Sequence, residues 1–471
     1  MNITRDMNKP LLLSILLTTL LLALWGCNKA SNNYPPDDTT VKLDSTNLPI
    51  VWIEVSGDSI KRDQRIQGRM TIIDNGEGRL NYTDTIEHPH QHIDYQGYIA
   101  IRYRGNSTFN NSPKKPYSLR TLDEPMWRGN AKKRKVSLLG MGRDSNWALL
   151  APYADKSLMR DMITRELSRP WMEYSPQGRH CEVIVDGIYY GVYVLSEVVS
   201  KGAHRLNLAS PGDKGDALTG DYLMEVDCYD EVTYTSRFSP LTSDGRPITS
   251  HHILFQYKSP DRQELDREQV RYINSRIDEM EAGIASGKYR HLIDEMSFID
   301  YQLMTELCHN VDGYRLSGKF YKRRDSVDPR FKMVLWDTDL AYGNASHRQA
   351  WRTDTWIYQS NDILLREKDV YMVPAWWYWL NNNIHYTSRL KARWAQLRSS
   401  YLSDERVSAV IDSLAYTLTS CGAEGRNSQA WPRWGVKVWP NHYIATSHAD
   451  EVNHIKQWLS QRLQWMDQQL Q

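Results

Sequence analysis

The stretch from Asp312 to Asp339 constrains this chain more than any other. Leu316, Phe320 and Tyr321 precede a polar turn running from Asp325 to Pro329, and Phe331, Met333, Val334, Leu335 and Trp336 follow it. Apolar and aromatic runs on either side of such a turn predict a β-hairpin. Because an antiparallel hairpin enters and leaves at one end, Asp312 and Asp337 are expected to lie close together, with Asp339 two residues on. Carboxylates gathered without a base between them raise one another's pKa or hold a divalent cation. The alternative, in which Asp312 caps a turn and the later pair is solvated at a strand end, stays open at this point.

The chain begins with an address. Arg5 and Lys9 precede an apolar run from Leu11 to Leu24, and Leu24-Trp25-Gly26-Cys27 ends it. The run is short for a membrane span and reads as an export signal over residues 1–27. A cysteine directly after a small residue resembles a bacterial lipoprotein box, with Cys27 as the lipidated first residue of the mature chain. Acyl chains at about 0.8 kcal/mol per buried methylene would tether the protein to a membrane surface. Residues 28–47, with scarcely an apolar side chain, are expected to be a disordered tether. Cys181, Cys228, Cys308 and Cys421 lack the CxxC spacing of a zinc site, and no cysteine chemistry is assigned. The formal net charge of +1 gives no global field for nucleic acid or acidic lipid. The 17 Trp and 28 Tyr against 6 Phe favour half-wet surfaces and grooves, sugar-binding faces among them.

Strands dominate the first half. Leu48–Val55, Arg69–Ile73 and Tyr98–Tyr103 carry β-branched and aromatic residues between turn signals. Arg102-Tyr-Arg104-Gly105-Asn106-Ser107-Thr108, followed by Pro113-Lys114-Lys115-Pro116-Tyr117, could cradle phosphate with small residues and lysine charge, or form a surface turn with solvated lysines. A helical period runs over 158–167. Cys181–Val185 and Tyr189–Leu195 flank Asp186-Gly187, a hairpin signal that leaves Glu197 just past the second strand. Further strands are expected at 222–227 and 253–257. Beyond Pro260 the period changes: Val270, Ile273, Ile277, Met280 and Ile284 mark an amphipathic helix. Ser297 to Asp300 reads as a capping box, and the last helix carries Val452, Ile455, Leu459, Leu463, Met466 and Leu470 on one face. The expected organisation is α+β in two unequal lobes with a cleft between them: a small N-terminal β region at 48–97, a β-rich N-lobe at 98–260, and a helical C-lobe at 261–471 carrying the acidic hairpin.

Taken as a set, Arg104-Gly-Asn-Ser-Thr108 with Pro113-Lys-Lys-Pro-Tyr117, Asn146-Trp-Ala-Leu-Leu150, Asp155-Lys-Ser-Leu158 with Arg160, the Gly187 to Glu197 hairpin, and Trp336-Asp-Thr-Asp-Leu-Ala-Tyr-Gly-Asn344 resemble the CotH kinase family. That family is related to the spore-coat kinases and is common as lipoproteins of Gram-negative gut bacteria. The resemblance implies an atypical protein-kinase-like fold that binds ATP with Mg²⁺ or Mn²⁺ and phosphorylates an exported protein; the near-zero charge gives the expectation of no nucleic-acid partner. The protein is then expected in the bacterial cell envelope, lipid-anchored to the outer membrane. The resemblance makes Asp312 the catalytic aspartate and Asp337 the metal-binding one. Where the kinase pattern has a metal-binding Asn, this chain has Ser317, and Asp339 or Asn344 are the candidates to replace it. Arg104, Lys114 and Lys115 are the candidate cofactor-binding cations, with Glu197 as ion-pair partner. Two rival functions are a non-catalytic surface module, holding glycan or protein through Trp376, Trp377, Trp379, Trp431, Trp434 and Trp439, and nucleotidyl transfer on the same scaffold.

Overall fold

The computed structural model describes residues 34–55, 58–228 and 233–471. Cys27 and the export signal lie outside the described residues. Seven strands close into a barrel: β1 (Ile50–Glu54), β2 (Ile66–Ile73), β3 (Ile93–Tyr103), β4 (Tyr117–Leu122), β5 (Asn146–Leu150), β6 (Gly178–Val185) and β7 (Ile188–Glu197). They pair in the order β1-β2-β3-β4-β5-β7-β6, and β6 returns parallel to β1 through Ile50↔Glu182 to Ile53↔Val185. Closure leaves the barrel no free edge. The interior is aromatic. Tyr103, Tyr117 and Tyr193 stack in series with centroids 5.5 and 5.9 Å apart, which accounts for part of the tyrosine excess.

Two sequence boundaries need correction. The division expected at 97/98 falls inside β3, because 48–97 supplies β1, β2 and the start of β3 to the barrel and is no separate region. The tether expectation fails from Tyr34 on. Val41 and Leu43 are buried, Ser45–Thr46 pairs with Asn81–Tyr82, and the Asn47 amide donates to the Thr417 carbonyl at 3.1 Å. The few apolar residues of that stretch are spent on the barrel wall, where a composition argument counts them as too few.

A second, five-stranded sheet runs β9-β10-β8-β11-β12, from β8 (Tyr222–Val226), β9 (Thr233–Thr235), β10 (Leu254–Ser259), β11 (Gly318–Lys322) and β12 (Phe331–Val334). The predicted acidic hairpin is β11–β12, with Lys319↔Val334 and Lys322↔Phe331 as its ends. Its insertion beside β8 carries one sheet across the boundary expected at 260/261. Four helices matter to the site: α1 (Arg160–Ser168), α2 (Arg267–Ala285), α3 (Glu295–Cys308) and α4 (His448–Gln469). α3 starts earlier than expected, with Asp294 as the cap accepting from the Ser297 amide at 3.1 Å. Trp376, Trp377 and Trp431 are buried core side chains and cannot form a glycan face. No described helix is long and apolar enough to cross a membrane.

The two halves are interlocked. Helix Ala423–Ala430 and Trp431, from the C-terminal half, complete the barrel core. The Asn427 carboxamide oxygen accepts from the Val192 amide at 3.1 Å and from Lys114 Nζ at 2.8 Å. Gly191 makes room for this: its φ is +91°, and a Cβ there would lie 2.5 Å from Asn427 Oδ1. The four described cysteines are free thiols, and burial pushes Cys181 and Cys308 up to about 12.

One buried acid in α2 has no cation. Glu281 accepts from Ser236 Oγ and from Trp376 Nε1, each at 2.8 Å, and burial pushes its carboxyl up to about 7. A folded pKa above the unfolded one stabilises the fold fully below about pH 4, and that contribution is lost as pH rises through about 7. Glu281→Gln is therefore expected to stabilise the protein at pH 8, by up to about 3 kcal/mol, and to change little at pH 4. Parallel urea melts of both proteins at the two pH values check this, and equal differences at both would refute it.

Candidate active site

The hairpin does what its sequence implies. Asn310, just after α3, ties its two ends together: its carboxamide oxygen accepts from the Asp312 amide at 3.3 Å, and its nitrogen donates to the Asp337 carbonyl at 3.0 Å. Across the hairpin mouth, Ser317 Oγ lies 3.5 Å from Asp337 Oδ2. Asp337 is exposed to solvent and lines a small concavity with Asp161, Arg165, Trp336 and Thr338. Burial, then Asp161, raise its carboxyl to about 6, with Asp312 adding to the effect and Arg104 opposing it. Asp339 is raised well above the carboxylate range by burial and then by Asp337, Asp161, Asp155 and Asp312.

Asp161 was not singled out by sequence. It sits in the first turn of α1, where its Oδ1 accepts from Thr338 Oγ1 at 3.0 Å and its Oδ2 pairs with Arg165 at 2.7 Å. The preceding residue fixes the helix to the loop. Arg160 donates from Nε to the Ala341 carbonyl at 3.0 Å, and its Nη1 pairs with Asp155 and with Glu451 of α4, both at 2.7 Å. Thr164 Oγ1 meets the Tyr342 hydroxyl at 2.8 Å. The loop then passes over Trp458 at Gly343, whose φ is +73° and where a Cβ would lie 2.7 Å from the indole.

Trp336 orients the acid that follows it. The Arg104 guanidinium lies 5.4 Å from the centre of its indole and that of Arg165 5.6 Å. Cation–π contact of this kind contributes about 0.5–2 kcal/mol. Arg104 Nη1 is buried with no hydrogen-bond partner among the described residues. An unpaired buried donor costs about 1–3 kcal/mol unless a ligand satisfies it. Asp312 is held differently: Arg315 Nη2 donates to its Oδ1 at 2.5 Å, Arg348 stands 3.8 Å from the same oxygen, and the side chain remains 25% exposed. No hydrogen bond to its Oδ2 is made by the described residues.

Of the residues expected here, Asp312, Asp337, Asp339 and Arg104 come together, and four others do not. Lys114 turns into the barrel, where Nζ donates to the Val192 carbonyl and to Asn427 and lies 4.7 Å from the Tyr193 ring centre. Lys115 donates to the Phe109 carbonyl and rests against Tyr34 and Phe109. Both lysines lie in the turn before β4, outside its ladder, and both are buried there. Glu197 pairs with Arg205 at 2.8 Å, away from either lysine. Asn344 is buried and braces loops, giving its nitrogen to the Asp339 carbonyl and taking the Asn441 amide on its oxygen. The lysine whose charge reaches Asp337 is Lys319 of β11, itself paired with Glu225.

Among the described residues, no three His, Cys, Asp or Glu side chains are grouped as a metal cage. The acids instead repel across open space, and this fixes a sign. A raised Asp337 pKa favours folding below about pH 4 and costs stability as pH climbs past about 6. Asp337→Asn is expected to raise the metal-free midpoint at pH 8, by about 1 kcal/mol after screening at this solvent-open position, and to lose that gain by pH 4. Denaturation in chelator at both pH values checks it, and destabilisation at pH 8 would show that the acid is not crowded.

The comparisons with known proteins follow this geometry. No curated protein matches the chain. A family model described as CotH kinase protein matches residues 101–466, from β3 to the end of α4 and through both ends of the acidic hairpin. With most of its length matched, the chain belongs to the CotH kinase family.

Proposed function

We propose that this protein is a membrane-anchored, metal- and ATP-dependent kinase-like enzyme that transfers a phosphoryl group to a hydroxyl of an exported protein. The observation carrying this reading is the meeting of Asp312, Asp337 and Asp339 beside an arginine with an unsatisfied buried nitrogen. Family membership supports the kinase class. The barrel and the sheet-plus-helix half are read as the two lobes of an atypical kinase, with Cys27 as lipid anchor.

The residues fit the implied groups. Mg²⁺ is characteristically held by one or two carboxylates together with substrate phosphate oxygens. Asp337 and Asp339 supply that donor set, and a cation there would relieve the repulsion that raises both. When bound, it supplies neutralisation of the triphosphate charge. Arg104 Nη1 would donate to a phosphate oxygen. Asp312, its Oδ1 fixed by Arg315, would orient the acceptor hydroxyl and take its proton on Oδ2.

One observation favours a non-catalytic reading. Arg315 and Arg348 both address Asp312 Oδ1, and Ser317 stands where the kinase pattern has Asn. A single experiment separates the readings: the full chain is incubated with Mg²⁺ or Mn²⁺ and ATP labelled at the α or the γ phosphate. Label from γ alone supports the kinase. Label from α indicates nucleotidyl transfer, and neither label nor metal-dependent ATP binding leaves a binding module. Asp312→Ala is expected to lower γ transfer by about 10²–10⁴-fold with ATP binding retained, and Asp337→Ala to abolish both transfer and the metal-dependent thermal shift.

A further inference from the structure

The outer wall of the barrel carries a cationic array that the near-zero net charge conceals. Registers Ile66↔Ile101 and Ile101↔Leu119 set Arg65 beside Arg102 on adjacent strands, and Ala100↔Arg120 brings Arg120 one row on. Arg69 lies opposite Tyr98, and Leu122 is bridged to Lys133. Like charges placed opposite each other destabilise a sheet unless an anion lies between them. None of Arg65, Arg69, Arg102 and Arg120 forms an ion pair with a described carboxylate. Arg65 instead donates to the Ala100 and Ser118 carbonyls at 3.1 and 2.9 Å and to Ser118 Oγ at 2.8 Å. Arg120 has a 3.3 Å contact to Asn146 Oδ1. Burial, then Arg120 and Arg102, pull the Arg65 guanidinium down to about 10. The nearby acids are Glu124, which pairs with Arg128 at 3.6 Å, Asp123, which accepts the Lys132 amide, and Glu264 and Asp144, whose charge reaches Lys133.

A protruding apolar turn overhangs this array. The Met126 amide donates to Gln67 Oε1, on the row between Arg65 and Arg69, at 2.6 Å. Met126 is 38% exposed and Trp127 74%, and Arg128, Lys132 and Lys133 surround them in sequence. The wall of a closed barrel is convex, whereas a bound polypeptide is held by a groove or a sheet edge. A convex cationic face with a projecting indole matches a flat anionic surface, where tryptophan settles at headgroup level and each cation contributes about 1 kcal/mol, or about fivefold in partitioning.

We infer that the outer wall of β2, β3 and β4, with the Met126–Arg128 turn, docks onto an anionic lipid surface and so orients the barrel on the membrane. This docking is independent of the phosphotransfer reading and of any acyl anchor, because it uses side chains on the opposite side of the strands from the barrel core. The test reads the face itself. The full chain is incorporated in vesicles of phosphatidylcholine alone or with 40% phosphatidylglycerol, and amide hydrogen exchange is followed over residues 120–135. Slower exchange of that stretch in anionic vesicles, at least about tenfold, reversed by 0.5 M salt, is the expected result. The double variant Arg120→Glu, Lys133→Glu and the separate variant Trp127→Ala, a surface change that removes no core contact, should each lose most of the protection while exchange in α3 stays unchanged. Equal exchange in both vesicle types would overturn the inference. So would protection appearing in neutral vesicles on adding polyglutamate but absent with anionic lipid, which would mark the face as a site for an acidic polypeptide.

Discussion

Arg160 is the contact on which the acidic site depends. Its buried guanidinium joins Asp155 before α1, the Ala341 carbonyl after the acid pair, and Glu451 at the start of α4. Removing one partner from a buried charge network costs about 3–5 kcal/mol, because the charges left behind have no water to turn to. That energy is available to hold Asp337 and Asp339 where their own repulsion would drive them apart. Two carboxylates also pair with Arg160 itself, so the crowded acids further along the loop receive no neutralisation from it. The network fixes the loop while leaving its charge uncompensated.

The hairpin was legible because its geometry is local. A turn between two apolar runs determines where Asp312 and Asp337 end up, whatever the rest of the chain does. Arg104 was legible through the pattern around it. Lys114 and Lys115 were not, since they sit in the turn before β4 and their direction is set by distant partners: a helix from residues 423–430 arrives to receive Lys114 inside the barrel, and Tyr34 packs on Lys115. Asp161 was missed for a related reason. Within its helix it is an ordinary first-turn acid, and only the docking of α1 against Thr338 reveals its role. The one available signal was its place at the end of the Asp155-Lys-Ser-Leu-x-Arg run.

Backbone strain gathers at the same place. Leu158, His309, Ser317, Asp337 and Tyr342 all have φ between 51° and 65°, a region non-glycine residues seldom occupy. Each costs about 1 kcal/mol or more, and all five lie in the segments that meet around the acid pair: the entry to α1, the exit from α3, the hairpin mouth and the loop beyond. Left-handed residues reverse the chain within one position. That lets α3 end at His309 and present Asn310 and Asp312 at once, and lets Asp337 turn away from β12 into the concavity. Burial of Tyr301, Tyr314 and Trp377 beneath the loop, with Tyr314 and Trp377 centroids 4.5 Å apart, offsets that strain.

Ser317 shapes what this site can do with a cation. A carboxamide at that position would offer a neutral oxygen to a metal while leaving the neighbouring acid free. A hydroxyl 3.5 Å from Asp337 Oδ2 is positioned as a donor to the carboxylate, and its shorter side chain does not extend past it. On the proposed reading a cation would rest on Asp337 and Asp339, with phosphate oxygens and water filling the remaining positions, as Mg²⁺ tolerates. Such a site would, on that reading, gain cation affinity when a polyphosphate arrives, because two like-charged acids on one loop cannot complete an octahedron. The Arg104 nitrogen left without an acceptor among the described residues would serve the same partner on this reading: its charge already acts on Asp337, and a metal–phosphate group would give it an acceptor while relieving the repulsion that Arg104 only partly opposes.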